Sequence, residues 1–376
     1  MISTPWQDLA EGRASVLVAV DRIDAIGPDT VKFLHSLVSQ NISALGIGEG
    51  AWTFLLQPQG KVTSFAYALR FGDEHVVLLT EPGFGEALHT ALSRYRIRTK
   101  CDLALNTNSA ANVSFVNAAP SFAVTETPEP FLHGQTNGPE AYNTARIVNG
   151  WPVQPNEMND RTIPNETGVL GEAVNFTKGC YIGQELVERI DSRGATTPRR
   201  LVRLVGFVNA VEVTAQGATP DEVGSESWAK KSPASVADGS NIAGSNPTEA
   251  DGDVERVHER GWSANSLVGS ELGFRASGDR ETVSVPEVAS RSDSDSGPEK
   301  PTAKAVGSLT SVVADRELEG GLAGLAYVAR SVEDGSKVTI IGTSFSATVA
   351  ALRAPVTAPV TQSSGVRSTA TMGRKA

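Results

Sequence analysis

Cysteine is nearly absent: the chain carries two in 376 residues, Cys101 and Cys180. Two thiols so far apart make neither a disulfide framework nor a CxxC motif, which points to a reducing compartment. Nor can they supply the four thiolates of an ordinary iron–sulfur cluster, so this chain by itself does not hold one. Histidine is also sparse, at 35, 75, 89, 133 and 258, with no metal-ligand spacing, and no metal is expected. No run approaches the ~20 apolar residues that cross a bilayer. The opening MISTPWQDLAEGR lacks the apolar stretch of a secretory signal. A cytoplasmic location and no membrane partner are therefore expected. P-loop and GxGxxG phosphate cradles are missing as well. So is an excess of positive charge: a net charge of -10 argues against a general polyanion binder and against direct nucleic-acid binding.

The negative charge is uneven. Between Thr219 and Lys300 there are 16 Asp and Glu against 8 Lys and Arg, which leaves the remainder close to neutral. Over about 210–302, Ser, Gly, Asp, Glu, Ala and Pro dominate and apolar periodicity fades. Such a composition buries too little apolar surface to offset the entropy of ordering, so a low-complexity acidic insertion is expected there. One piece within it, from Glu259 through Phe274, is less polar and could pack locally. Residues 357–376 are expected to form a flexible tail.

Elsewhere the pattern alternates between strand and helix. Ser15–Val20 reads as a short strand that stops at Asp21, and Asp29–Val38 has helical spacing. Ala51–Gln57 and Lys61–Phe71 read as strands joined by Pro58-Gln59-Gly60, with proline and glycine where a type I turn wants them. His75–Thr80 is a further strand. Phe84, Leu88, Leu92 and Tyr95 then line one helical face. Asn106–Phe131 looks like short β-like pieces broken by proline. Ala141–Val148 reads as a helix ending at Asn149-Gly150. Strands are expected at Leu201–Val208, Val306–Val313, Gly324–Ser331 and Lys337–Ile341.

Two stretches carry potential chemistry. In Arg94-Tyr95-Arg96-Ile97-Arg98-Thr99-Lys100 an aromatic is mixed with cations that could touch phosphate, although a solvated helix end is the preferred explanation. The other stretch is Lys178-Gly179-Cys180-Tyr181-Ile182-Gly183-Gln184-Glu185. A cysteine at a helix start beside a lysine would be drawn toward the thiolate, because unpaired N–H groups and cations favour that form. A small apolar filler at a tight bend is the other reading. The residues alone leave both open; Cys101, with no glycine or helix start, reads as structural.

The same eight residues resemble the K-G-C-Y-x-G-Q-E signature of the YgfZ family, folate-binding relatives of the glycine cleavage T-protein. Arg146-Ile147 with Gly150 and Pro152, Ile163-Pro164 with Glu166, and Pro58-Gln59-Gly60-Lys61 resemble further blocks of that family. So do Gly307–Ser311 and Ala326–Arg330. The resemblance implies an α+β, three-part aminomethyltransferase-like fold that binds tetrahydrofolate. Its folate-binding region would span residues 1–200 as two interleaved subdomains. A C-terminal β-barrel would span 201–356, interrupted by the insertion. The implied function lies in iron–sulfur cluster assembly or repair, with client or assembly proteins as partners and a link to tRNA modification. Cys180 and Lys178 would be the reacting pair, and Arg146, Glu166, Tyr181, Gln184 and Glu185 the cofactor contacts, with Arg146 meeting the folate carboxylate. T-proteins carry G-G-x-x-D-D where this chain has Gln59-Gly60-Lys61-Val62-Thr63-Ser64. Hydroxyls cannot replace that charge, which argues against aminomethyl transfer. A true aminomethyltransferase and a non-catalytic folate-fold scaffold are the rival readings.

Overall fold

A computed structural model describes residues 4–131, 138–194, 196–209, 271–273, 305–341 and 343–352. The acidic stretch lies outside these residues except for Glu271–Gly273, and the expected tail lies outside them entirely.

Two antiparallel sheets organise the chain. The first has six strands in the order β2-β3-β4-β1-β5-β6, comprising β1 Val16–Ile26, β2 Gly50–Leu56, β3 Val62–Arg70, β4 His75–Thr80, β5 Asp102–Val116 and β6 Ala119–Ala123. Period-two alternation sends its side chains to opposite faces. Leu55, Ala66, Ala68 and Leu78 pack with helices α2 (Thr30–Leu37) and α3 (Gly85–Tyr95). Trp52, Phe54, Phe65 and Leu79 pack with α4 (Gly138–Val148) and the segment after it. An aromatic cluster centres this second face: Trp52 stacks on Phe65 at 4.5 Å and lies 5.0 Å from Trp151. Aromatic pairs of this kind add to the burial of their area.

The second sheet is a closed barrel in the order β10-β7-β12-β11-β8-β9, where β7 is Arg199–Asn209, β8 Glu271–Gly273, β9 Ala305–Ala314, β10 Leu322–Ala329, β11 Lys337–Ile340 and β12 Phe345–Ala350. The expected strands at 201–208, 306–313, 324–331 and 337–341 all fall in it. Glu271–Gly273, within the stretch expected to be less polar, completes the closure between β11 and β9. Short helices α1 (Pro5–Ala10) and α5 (Leu170–Ala173) lie outside the two sheets, and α6 (Gln184–Ser192) begins at the end of the signature motif.

Two expected strands come out longer. β1 continues through Asp21 for 11 residues because its charges are buried and paired. Arg22 bonds Asp24 at 2.7 Å, His75 bonds the same carboxylate at 2.8 Å, and Asp21 accepts the N–H groups of Gly83 and Gly85. The polar run starting at Asp102 is one 15-residue strand, paired on one side with β1 and on the other with β6.

Candidate functional site

The β2–β3 hairpin forms as expected, with Gly60 N–H donating to Gln57 O at 2.8 Å. Its tip docks directly on the signature motif. Gly60 and Gly183 both have positive φ, +80° and +77°, and a Cβ on Gly183 would lie 2.3 Å from Gln57 O. Glycine is needed at both places because the two backbones touch. The two motifs, more than a hundred residues apart in sequence, are therefore one structural unit.

Within that unit Cys180 is exposed, so it is no core filler. It does not begin a helix, however. Helix α6 starts at Gln184 after its cap at Gly183, which places the thiol on the preceding turn. Gln184 closes this turn by accepting the Tyr181 N–H at 3.0 Å, and Glu185 is exposed. Lys178 is also engaged elsewhere. Its ammonium donates to the carbonyl oxygens of His35, Val38 (2.5 Å) and Gln40 (3.3 Å), which collect at the C-terminal end of α2. Cations are favoured at such an end. The ammonium also sits 5.3 Å from the centre of the Tyr181 ring, and burial brings its pKa down to about 8. Lys178 thus pins the cysteine loop to α2, a role that thiol activation by proximity alone did not anticipate. Tyr181 is buried, with its hydroxyl unpartnered. Cys101 is buried as expected, and burial pushes its thiol pKa up.

A cavity of about 480 Å³ opens against the first sheet, between β1, the end of β4, β6, α4 and residues 153–156. Val18, Val20, Trp52, Leu79 and Phe122 give it apolar walls, and Glu81, Tyr142, Asn143 and Arg146 give it polar ones. An apolar concavity with a few convergent polar groups is the usual form of a small-molecule site. Glu81 is enclosed by protein and open to the cavity; desolvation holds its carboxyl above the ordinary range. Tyr142 donates to it at 3.2 Å. The Thr80 hydroxyl is buried in the cavity lining without a partner. Unpaired buried polar groups are rare and are satisfied when a ligand supplies the bond.

Of the residues singled out from the sequence, Arg146 lines this cavity; Glu166, Tyr181, Gln184, Glu185, Lys178 and Cys180 are not among its lining residues. Glu166 instead pairs with Arg199 at 3.0 Å, and the Arg199 guanidinium stacks 4.2 Å over Tyr327. Arg146 is buried and pairs with Glu157 at 3.2 Å. Glu157 also accepts from Val153 N, Thr310 and Ser311, and so ties α4 to the barrel strand β9. Glu81 and Glu157 were not read from the sequence. The signal for Glu81 was a carboxylate just after the strand carrying the apolar run Val76–Leu79 and just before Pro82-Gly83; Glu157 gave none. At the hairpin, Ser64 is buried with its hydroxyl unpartnered, and no carboxylate stands at 63 or 64. Among the described residues no cluster of His, Cys, Asp and Glu could hold a metal ion, and no helix is long and apolar enough to cross a membrane.

The two sheets, with the cavity between strand ends and α4, define a T-protein-like fold. The glycine cleavage aminomethyltransferase T of Bartonella henselae superposes with a TM-score of 0.57 over 93% of this chain and 88% of its own, at 13% identity. Among curated proteins, the chain is similar to a mitochondrial iron–sulfur cluster assembly factor IBA57 homologue of Neurospora crassa, 27% identical over 52% of this chain and 54% of the relative. A second IBA57 homologue, from Pyricularia oryzae, is 30% identical over 48% of this chain and 54% of its own length. The tRNA-modifying protein YgfZ of Pectobacterium carotovorum is 25% identical over 50% and 68%. The chain spans about half the length of the two fungal relatives it matches. No family model matches it. With this fold, the chain is similar to the YgfZ and IBA57 proteins, in accord with its K-G-C-Y-x-G-Q-E motif.

Proposed function

We propose that this is a tetrahydrofolate-binding protein of the YgfZ type, acting in iron–sulfur cluster assembly or repair with a link to tRNA modification. Residues 1–200 would supply the folate-binding region and 201–356 the barrel. The cavity beneath Trp52 is the observation that carries the reading. Its apolar and aromatic walls suit a pteridine ring, and the Glu81 carboxyl suits the N–H donors on that ring's aminopyrimidinone edge. The unpartnered Thr80 hydroxyl offers a further bond.

Cys180 is not among the residues lining the cavity and is exposed. It is the group that would meet a client or assembly protein, as a nucleophile or a soft ligand for iron or sulfur in transit. Lys178 positions its loop. Aminomethyl transfer is disfavoured because Thr63 and Ser64 stand where the T-protein has carboxylates.

Calorimetric titration with tetrahydrofolate tests the cavity, with saturable one-to-one binding expected. Complementation tests the thiol: Cys180→Ala is expected to abolish rescue of iron–sulfur enzyme activity in cells lacking the native copy. Full rescue by that variant would leave only the scaffold reading.

A further inference from the structure

The resemblance to T-proteins assigns Arg146 to a folate carboxylate, yet its surroundings give it other work. It is the one cation among the described residues that line the cavity. Of the five N–H donors a guanidinium carries, four are engaged: with Asn143 Oδ1 at 2.9 Å, Trp151 O at 3.4 Å, Glu157 Oε2 at 3.2 Å and Ser311 Oγ at 3.1 Å. Its charge is cancelled by Glu157, whose side chain is fully buried and receives four donors. To form the two-pronged pair that suits a guanidinium, an incoming carboxylate would have to displace Glu157 and leave it charged without its cation in the interior, a heavy penalty. With Arg146 neutralised, the remaining carboxyl facing the cavity is that of Glu81, which offers no positive charge to hold an anion.

We infer that this cavity selects its ligand by the uncharged, N–H-rich ring alone, with Glu81 as the specificity-determining residue, and takes no part in holding a carboxylate tail. Arg146 and Glu157 act as a resident ion pair that gives the cavity its shape and excludes anionic groups from that wall. The one N–H left on Arg146 suits a neutral acceptor such as a ring carbonyl. This rests on the folate reading above. It implies that reduced pterins without a glutamate, and folates with any length of glutamate chain, are received alike.

The test compares tetrahydrofolate with tetrahydropteroate, which lacks only the glutamate, by calorimetry under anaerobic conditions on the unmodified full-length protein. A guanidinium bond to a ligand carboxylate is worth about tenfold or more in affinity. The expected result is dissociation constants that agree within about threefold, with both weakened about tenfold by Glu81→Gln. Tetrahydrofolate binding tenfold or more tighter than tetrahydropteroate would keep the folate reading and overturn this inference. So would a Glu81→Gln variant that binds both as the unmodified protein does. No saturable heat with either compound would remove the folate reading itself.

Discussion

The cavity wall at Arg146 and the loop at Cys180 solve opposite problems. At the wall every strong charge is answered from within: Arg146 by Glu157, and Glu157 by four donors contributed from three parts of the chain. The loop keeps its sulfur in solvent and spends its contacts on backbone, through the Lys178 ammonium on three carbonyls and through Gly183 against the hairpin. A closed network holds a shape, and an exposed sulfur on a pinned loop meets another molecule. On the proposed function, holding and reacting would lie in different parts of the fold, as suits a factor that binds one small molecule and serves a larger client.

That contrast can be broken first at the wall. Glu157→Ala leaves a buried guanidinium without its partner, and such losses cost about 3–5 kcal/mol; urea unfolding should show the largest drop of the set. Gly183→Ala should come next. Its positive φ and the 2.3 Å approach of Gln57 O make any Cβ strained, a cost of about 1–3 kcal/mol, and the hairpin should become more open to proteolysis.

Lys178→Met sharpens the picture through pH. Burial lowers the Lys178 pKa from 10.5 to about 8. Between those values the unfolded chain binds the proton more readily than the folded one, so this group's contribution makes stability rise with pH across that window. Compared at about pH 7.5 and about pH 9.5, the unmodified protein should gain more stability, or lose less, than Lys178→Met. Equal slopes would show that the ammonium is not held as described. Smallest of all, Cys180→Ala should change stability by less than about 0.5 kcal/mol, as surface substitutions do. A larger loss would mean that the sulfur is part of the packing.

Much of this was legible beforehand, and the failures have physical causes. The hairpin, α2, β4 and the barrel strands follow from local periodicity and turn residues, and the signature motif announced the loop. β1 looked five residues too short because Arg22 and Asp24 satisfy each other inside the sheet, and a one-dimensional pattern cannot show a buried pair. The helix after the motif starts at Gln184 and not at Cys180, since Gly183 takes a left-handed conformation that forms a cap. The partner of Lys178 lies some 140 residues upstream at the end of α2, and that of Arg146 in a segment with no motif of its own. Glu166 had the right type for a ring contact, but folding gave it to Arg199.

The separation of cavity from thiol is the central claim, and tetrahydrofolate titrated into Cys180→Ala tests it most directly. The affinity should match that of the unmodified protein within about twofold, since the sulfur is not part of the cavity wall. Loss of binding on removal of that one atom would show that sulfur and ligand share a site, and would contradict the division described here.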